Sequence, residues 1–174
     1  MAPEGRVTFR GAAVPDTSAK LNEAILAVRQ AYHRVVLLVG PSNSGKTRVL
    51  RKLAEDGGSA YLNVNLALSQ RMLELTKSQR ARQADRLLKD LVNETKGDVV
   101  LLDNLEVLFD TTLQLDPLRL LQRASRSRTV VAAWNGTFRD GTLTYAEPQH
   151  PEYRCYRDVD AITVLVERDV QPHP

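Results

Sequence analysis

The sequence predicts an α/β fold, a parallel sheet sandwiched by helices, and three observations carry that reading. Apolar runs recur along the chain, at Val35-Val36-Leu37-Leu38-Val39, Val99-Val100-Leu101-Leu102 and Thr129-Val130-Val131-Ala132-Ala133. Unbroken runs of this kind suit strands buried on both faces. Stretches of helical periodicity separate them, and strands alternating with helices imply a parallel sheet with crossover connections. Finally, the first run leads directly into Gly40-Pro41-Ser42-Asn43-Ser44-Gly45-Lys46-Thr47, which reads G-x-x-x-x-G-K-T.

That motif is a P-loop, and its chemistry explains its composition. Backbone N–H groups must converge on phosphate oxygens, so Gly40 and Gly45 supply permissive backbone. Lys46 brings a point charge to the β- and γ-phosphates, and Thr47 offers a hydroxyl to Mg²⁺. The helix predicted from Lys46 aims its N-terminal N–H groups at the anion. The candidate nucleotide-binding set is Gly40, Pro41, Ser42, Asn43, Ser44, Gly45, Lys46, Thr47 and Arg48. A Gly-rich strand-to-helix turn without a ligand is the competing reading.

The whole chain bounds the answer. Its 174 residues suit one domain, expected over residues 16–168 between an N-terminal arm (1–15) and a tail (169–174). With 43% hydrophobic and 26% charged residues it has ordinary globular composition. The net charge of +3 fits an anionic ligand or DNA without selecting either. The single Cys155 excludes an internal disulfide framework. No apolar run approaches membrane-spanning length and no secretory signal is visible, so a cytoplasmic location is expected.

Taken in order, Pro3, Gly5, Gly11 and Pro15 punctuate the arm around Val7-Thr8-Phe9-Arg10, one short edge strand. Asp16, Thr17 and Ser18 are candidate caps for a helix whose apolar face carries Leu21, Ile25, Val28 and Tyr32. After the P-loop helix, Gly57-Gly58 is a stop and Ala60-Tyr61-Leu62-Asn63-Val64 a second strand. Residues 66–93 read as helix with a break near Lys77-Ser78. Arg71, Lys77, Arg80, Arg82, Arg86 and Lys89 lie there among Glu74 and Asp85, which reads as a solvated face in preference to a nucleic-acid patch. Asp116-Pro117 caps a short helix over residues 118–124. Residues 137–160 are irregular, with short strands at Thr142-Leu143-Thr144-Tyr145 and Tyr153-Arg154-Cys155-Tyr156, before a last strand over 161–166.

Two further strand ends bear on chemistry. Asp103 closes the third apolar strand at the carboxyl edge, where ligands bind in such sheets, and is the candidate Mg²⁺ ligand beside Thr47. Asn135 closes the fourth. It either orients water at the γ-phosphate or, with Gly136, forms a plain turn. The catalytic base is harder to place. Asn104 follows Asp103, where many such ATPases carry Glu, and an amide cannot accept a proton as a carboxylate does. Glu106 is either the displaced base or an exposed loop carboxylate. Arg119, Arg123, Arg126 and Arg128 form a basic group, read as favourable cations at a helix C-terminus, with one arginine finger acting in trans as the sharper alternative.

Together the P-loop, Leu101-Leu102-Asp103-Asn104 and Val131-Ala132-Ala133-Trp134-Asn135-Gly136 resemble a minimal AAA+-type ATPase core. Tyr61-Leu62-Asn63-Val64-Asn65-Leu66, Asp116-Pro117-Leu118-Arg119-Leu120-Leu121, Ala-Ala-Trp-Asn-Gly, Leu143-Thr144-Tyr145-Ala146-Glu147-Pro148 and His150-Pro151-Glu152-Tyr153 resemble the BrxF family, small P-loop proteins of type 3 BREX phage-defence systems. The resemblance covers residues 35–166. It implies a role in anti-phage defence beside other BREX proteins (a larger ATPase, a DNA methyltransferase, a helicase), while the P-loop and Asp103 lead to ATP and Mg²⁺ as expected ligands and a homo-oligomer as the expected state, with direct DNA contact open. AAA+ proteins carry a helical lid after the core, whereas the residues that follow Asn135 here read as strands and turns, so a lid is not expected among them.

Three function classes follow. The first is an oligomeric ATPase switch acting on partner proteins or DNA. GTP is disfavoured because no Asn-Lys-x-Asp motif is present. The second is a nucleotide-binding module with little turnover, which Asn104 favours. The third is a small-metabolite P-loop kinase, opposed by the missing Arg-rich lid.

Overall fold

Each apolar run becomes a strand. β1 (Val35–Gly40), β2 (Ala60–Asn63), β3 (Val99–Asp103), β4 (Thr129–Arg139) and β7 (Ile162–Leu165) form a sheet of order β2-β3-β4-β1-β7 with every pair parallel. The computed structural model describes residues 16–166. The expected arm over 1–15, with its strand at Val7-Thr8-Phe9-Arg10, and the tail over 169–174 lie outside the described residues.

Helices cover both faces. α1 (Thr17–Val28) and α2 (Lys46–Gly57) pack on one, where Leu21, Ile25, Leu50 and Leu53 meet Val36, Leu38, Leu101 and Val131. α3 (Val64–Met72), α4 (Lys77–Glu94) and α5 (Pro117–Ala124) pack on the other, against Leu37, Val39, Val100, Leu102 and Val130. Successive residues of a strand thus feed opposite cores, which is why β1 is buried along its whole length. Each fully buried leucine contributes about 2 kcal/mol of transfer free energy. The fold is an α/β P-loop topology in which β4 separates the strand leading into the P-loop from the strand bearing Asp103.

Local chemistry sets the helix ends. α2 begins after Gly45 (φ 95°) and ends at Gly58 (φ 65°), both in the left-handed region that favours glycine. Between α3 and α4 the break falls at residues 73–76, slightly before the expected place. Its cause is a capping box: Gln79 N–H donates to the Thr76 hydroxyl at 3.3 Å, and Thr76 N–H donates to Gln79 Oε1 at 2.9 Å. Arg80 then donates to the carbonyls of Met72 and Leu75, both at 3.0 Å, closing the end of α3. Asp116 caps α5 by accepting from Arg119 N–H at 3.2 Å, with Pro117 at its first turn. Tyr32, expected on the apolar face of the first helix, falls beyond the end of α1 and is 75% exposed.

The largest difference from expectation lies after Trp134. Asn135-Gly136 is no turn. β4 continues through it to Arg139, leaves the parallel sheet and pairs antiparallel with β5 (Thr142–Tyr145), which pairs with β6 (Arg154–Tyr156). The turn falls instead at Asp140 (φ 50°) and Gly141 (φ 74°). Gly136 has a different role: a Cβ there would lie 1.8 Å from the Thr144 carbonyl oxygen, so only glycine allows the two strands this approach. The hairpin is fastened to the core by aromatic rings. Phe109 stacks on Tyr145 (3.4 Å between centroids) and meets Trp134 edge-on at 5.1 Å, while Trp134 Nε1 donates to the Thr144 carbonyl at 2.9 Å.

Candidate functional site

A cavity of about 870 Å³ opens at the carboxyl edge of the sheet, lined by Ser42, Asn43, Gly45, Lys46, Thr47 and Arg48 on one side and by Asp103, Glu106 and Asn135 on the other. Gly45 and Asn43 (φ 59°) give the loop two left-handed positions within three residues. Gly40 answers to space instead, since a Cβ there would meet Ser44 Oγ at 2.7 Å. Lys46 is only 6% exposed, and its ammonium donates to the Gly40 carbonyl at 2.9 Å, the Pro41 carbonyl at 2.5 Å and Ser44 Oγ at 3.2 Å. Burial lowers its pKa below the usual lysine value, with the negative charges of Asp103 and Glu106 opposing.

Asp103 is 3% exposed and firmly held. Oδ1 accepts from Asn104 N–H at 2.9 Å, and Oδ2 accepts from the Tyr61 hydroxyl at 2.7 Å. A carboxylate has further lone pairs for a cation. Tyr61 is itself flanked by Arg51, whose guanidinium lies 4.6 Å from the ring centroid. Sequence reasoning overlooked both residues. The signal lay in the register: Asn63 pairs with Asp103, so Tyr61, two residues earlier, shares its face.

Asn104 carries the sharpest lesson. Its φ of 54° places it in the left-handed region, where asparagine is among the few tolerated residues other than glycine. The chain turns there and re-enters a 3₁₀ turn, Glu106–Phe109, that returns Glu106 to the cavity. Glu106 Oε1 accepts from Asn135 Nδ2 at 2.9 Å. Asn135 in turn pairs in register with Gly40, the first residue of the P-loop. It therefore lies between the two outer strands of the site, as the expected sheet order requires.

The basic group separates. Arg119 Nε lies 3.7 Å from Asp116 Oδ2, and Arg123 Nη2 lies 3.1 Å from Asp85 Oδ2. Arg128 closes the end of α4: it donates to the carbonyls of Thr95, Gly97 (2.9 Å) and Asn93 (3.0 Å). Arg126 makes no ion pair among the described residues. None of the four lines the cavity of its own chain. Of the expected cations at the end of the short helix, only Arg123 stands in its last turn.

The donor set fits Mg²⁺ held jointly with phosphate. Thr47 and Asp103 face one cavity, and among the described residues no group of three His, Cys, Asp or Glu side chains converges to hold a metal alone. Among the described residues, no helix is long and apolar enough to cross a membrane.

No protein-family model matches the chain, and no curated protein matches it. Among solved structures it is similar to C. elegans PCH-2, at 15% identity and a TM-score of 0.46, over 87% of this chain and 43% of that one. The chain thus spans less than half the length of that protein.

Proposed function

We propose that the chain binds ATP with Mg²⁺ and hydrolyses it with Glu106 as the general base. The observation that carries this reading is the convergence of the P-loop, Asp103, Glu106 and Asn135 on one cavity, with Asn135 bonded to Glu106. The loop amides and Lys46 would hold the phosphates, and Thr47 and Asp103 would hold the cation, which when bound would supply neutralisation of charge developing on the transferred phosphate. Tyr61 and Asn104 N–H fix the Asp103 carboxylate. Asn135 has a second amide proton free to orient water while Glu106 accepts the water's proton. On the resemblance of its Trp-Asn-Gly and Tyr-Ala-Glu-Pro stretches, we place the protein with BrxF, as an oligomeric nucleotide switch beside other BREX proteins. Those two stretches meet at one register pair, Gly136 facing Tyr145.

The engagement of Glu106 by Asn135 also supports a slow-turnover switch, because one of the two Glu106 carboxylate oxygens is already taken up as an acceptor. Steady-state phosphate release with Mg-ATP, across a wide range of protein concentration, separates the readings. Turnover that Lys46→Ala abolishes is expected. Specific activity rising with concentration points to a site completed by a neighbouring copy, with Arg126 the least committed of the arginines. ATP bound without turnover establishes the switch, and unchanged ATP affinity in Lys46→Ala would sink the site.

A further inference from the structure

Away from that cavity, two basic stretches distant in sequence meet in one cleft. It encloses about 440 Å³ between α4 and α5, with Arg82, Arg86 and Lys89 on one wall and Arg123 and Arg126 on the other. All five are exposed. Positions 82, 86 and 89 are spaced four and three apart, so they form one stripe along α4. Asp85 pairs with Arg123, and Arg86 Nε lies 3.7 Å from Asp90 Oδ2. Arg82, Lys89 and Arg126 make no ion pair among the described residues. The main chain of Arg126 is fixed, its carbonyl accepting from Arg34 Nη2 at 2.8 Å. The solvated-face reading of the α4 cations rests on Glu74 and Asp85. Of these Asp85 lines the cleft and is taken up by Arg123, Asp90 pairs with Arg86, and three cations are left facing one groove.

We infer that this cleft binds the phosphate backbone of a nucleic acid, without reading sequence. The floor decides the class of partner. Leu88, Leu120 and Ala124 are 0%, 2% and 5% exposed, so a protein partner finds no apolar surface there on which to anchor. What remains is charge, and four of the five cations are arginines, whose forked guanidinium suits phosphate oxygens. No aromatic ring lines the cleft to stack a base. It is built from the later turns of α5 and the middle of α4, whereas the nucleotide cavity is built from the carboxyl ends of β1, β3 and β4, so the two sites are separate.

The test is anisotropy of labelled, mixed-sequence DNA, duplex and single-stranded, with the full chain across a salt series. Arg82→Ala/Lys89→Ala/Arg126→Ala is expected to weaken binding at least about tenfold and to flatten the slope of log K against log salt by about 2 to 3. Arg29→Ala/Arg139→Ala/Arg157→Ala removes as many charges from exposed positions elsewhere and is expected to change neither. Arg82→Lys/Arg126→Lys, which keeps the charge, is expected to retain the slope. Equal losses in the two alanine variants would reduce the effect to net charge and overturn the proposal. So would wild-type protein that binds neither form of DNA, or polyglutamate that displaces DNA at equal charge. Intact DNA binding in the cleft variant, with loss of concentration-dependent phosphate release, would assign the cleft to a neighbouring copy's nucleotide and overturn it equally.

Discussion

Lys46 and Asp103, at the carboxyl edge of the sheet, are 6% and 3% exposed, and every bond each makes is to a named neighbour. Arg82, Lys89 and Arg126, between α4 and α5, stand in solvent without ion pairs among the described residues. A buried charge persists only where polar partners replace the water it has lost, so removing one hydrogen-bonding partner costs about 1 to 3 kcal/mol. An exposed cation contributes about 0 to 1 kcal/mol and acts by adding to its neighbours. The carboxyl edge should therefore fail at single residues, and the cleft only by degrees.

The strongest test of that contrast is Glu106→Gln. Loss of a general base should slow turnover about 10²- to 10⁴-fold while ATP affinity stays within a few-fold. Normal turnover would remove Glu106 from the mechanism. Next comes Gly136→Ala, which drives a methyl group into the Thr144 carbonyl and should cost about 3 kcal/mol or more, read as a lower urea midpoint. A midpoint within experimental error of wild type would show that the β4–β5 pairing is not what holds the hairpin. Arg128→Ala is smaller: it frees the last carbonyls of α4, which water can then reach, and should cost about 1 to 2 kcal/mol. An unchanged midpoint would return Arg128 to the pool of unengaged arginines.

Tyr61→Phe is the mildest, at about 1 kcal/mol, and it has a pH signature. Burial first, then the hydrogen bond to Asp103, pushes the Tyr61 phenol up to about 12, with Arg51 opposing. A folded-state pKa above the unfolded value near 10 means that the contribution is complete below pH 10 and is lost as pH rises toward 12. The variant should therefore lose less stability than wild type between pH 10 and pH 12. Parallel curves would show that the phenol does not report on Asp103.

How much of this was legible differs between the two regions. The strands, the P-loop and Asp103 could be read from the sequence because β-branched runs and a glycine-framed motif are local signals. The position of Asn135 between the outer strands also follows from the strand order. What escaped was non-local. Asn135-Gly136 looks like a turn until Thr144 is known to lie against it, and the pairing of Tyr61 with Asp103 spans two strands. The α4 and α5 cations read as separate groups because nothing local says which of them face each other. One miss was avoidable: Thr76-Lys77-Ser78-Gln79 is a capping-box sequence, and it marks the start of α4. Asn104 was judged as a missing glutamate, whereas its left-handed backbone selects asparagine and moves the carboxylate two residues onward. Asn104→Glu would accordingly add backbone strain without supplying a base.

The continuity of β4 has a mechanical consequence. Its inner half is clamped between β1 and β3, and its outer half belongs to the aromatic-fastened hairpin. One strand rising about 3.3 Å per residue carries Asn135 and, some 13 Å further on, Arg139. The hairpin and the amide that meets Glu106 therefore share one continuous hydrogen-bonded strand, so a displacement imposed at the outer end has a direct covalent path, through Gly136, to where that amide points.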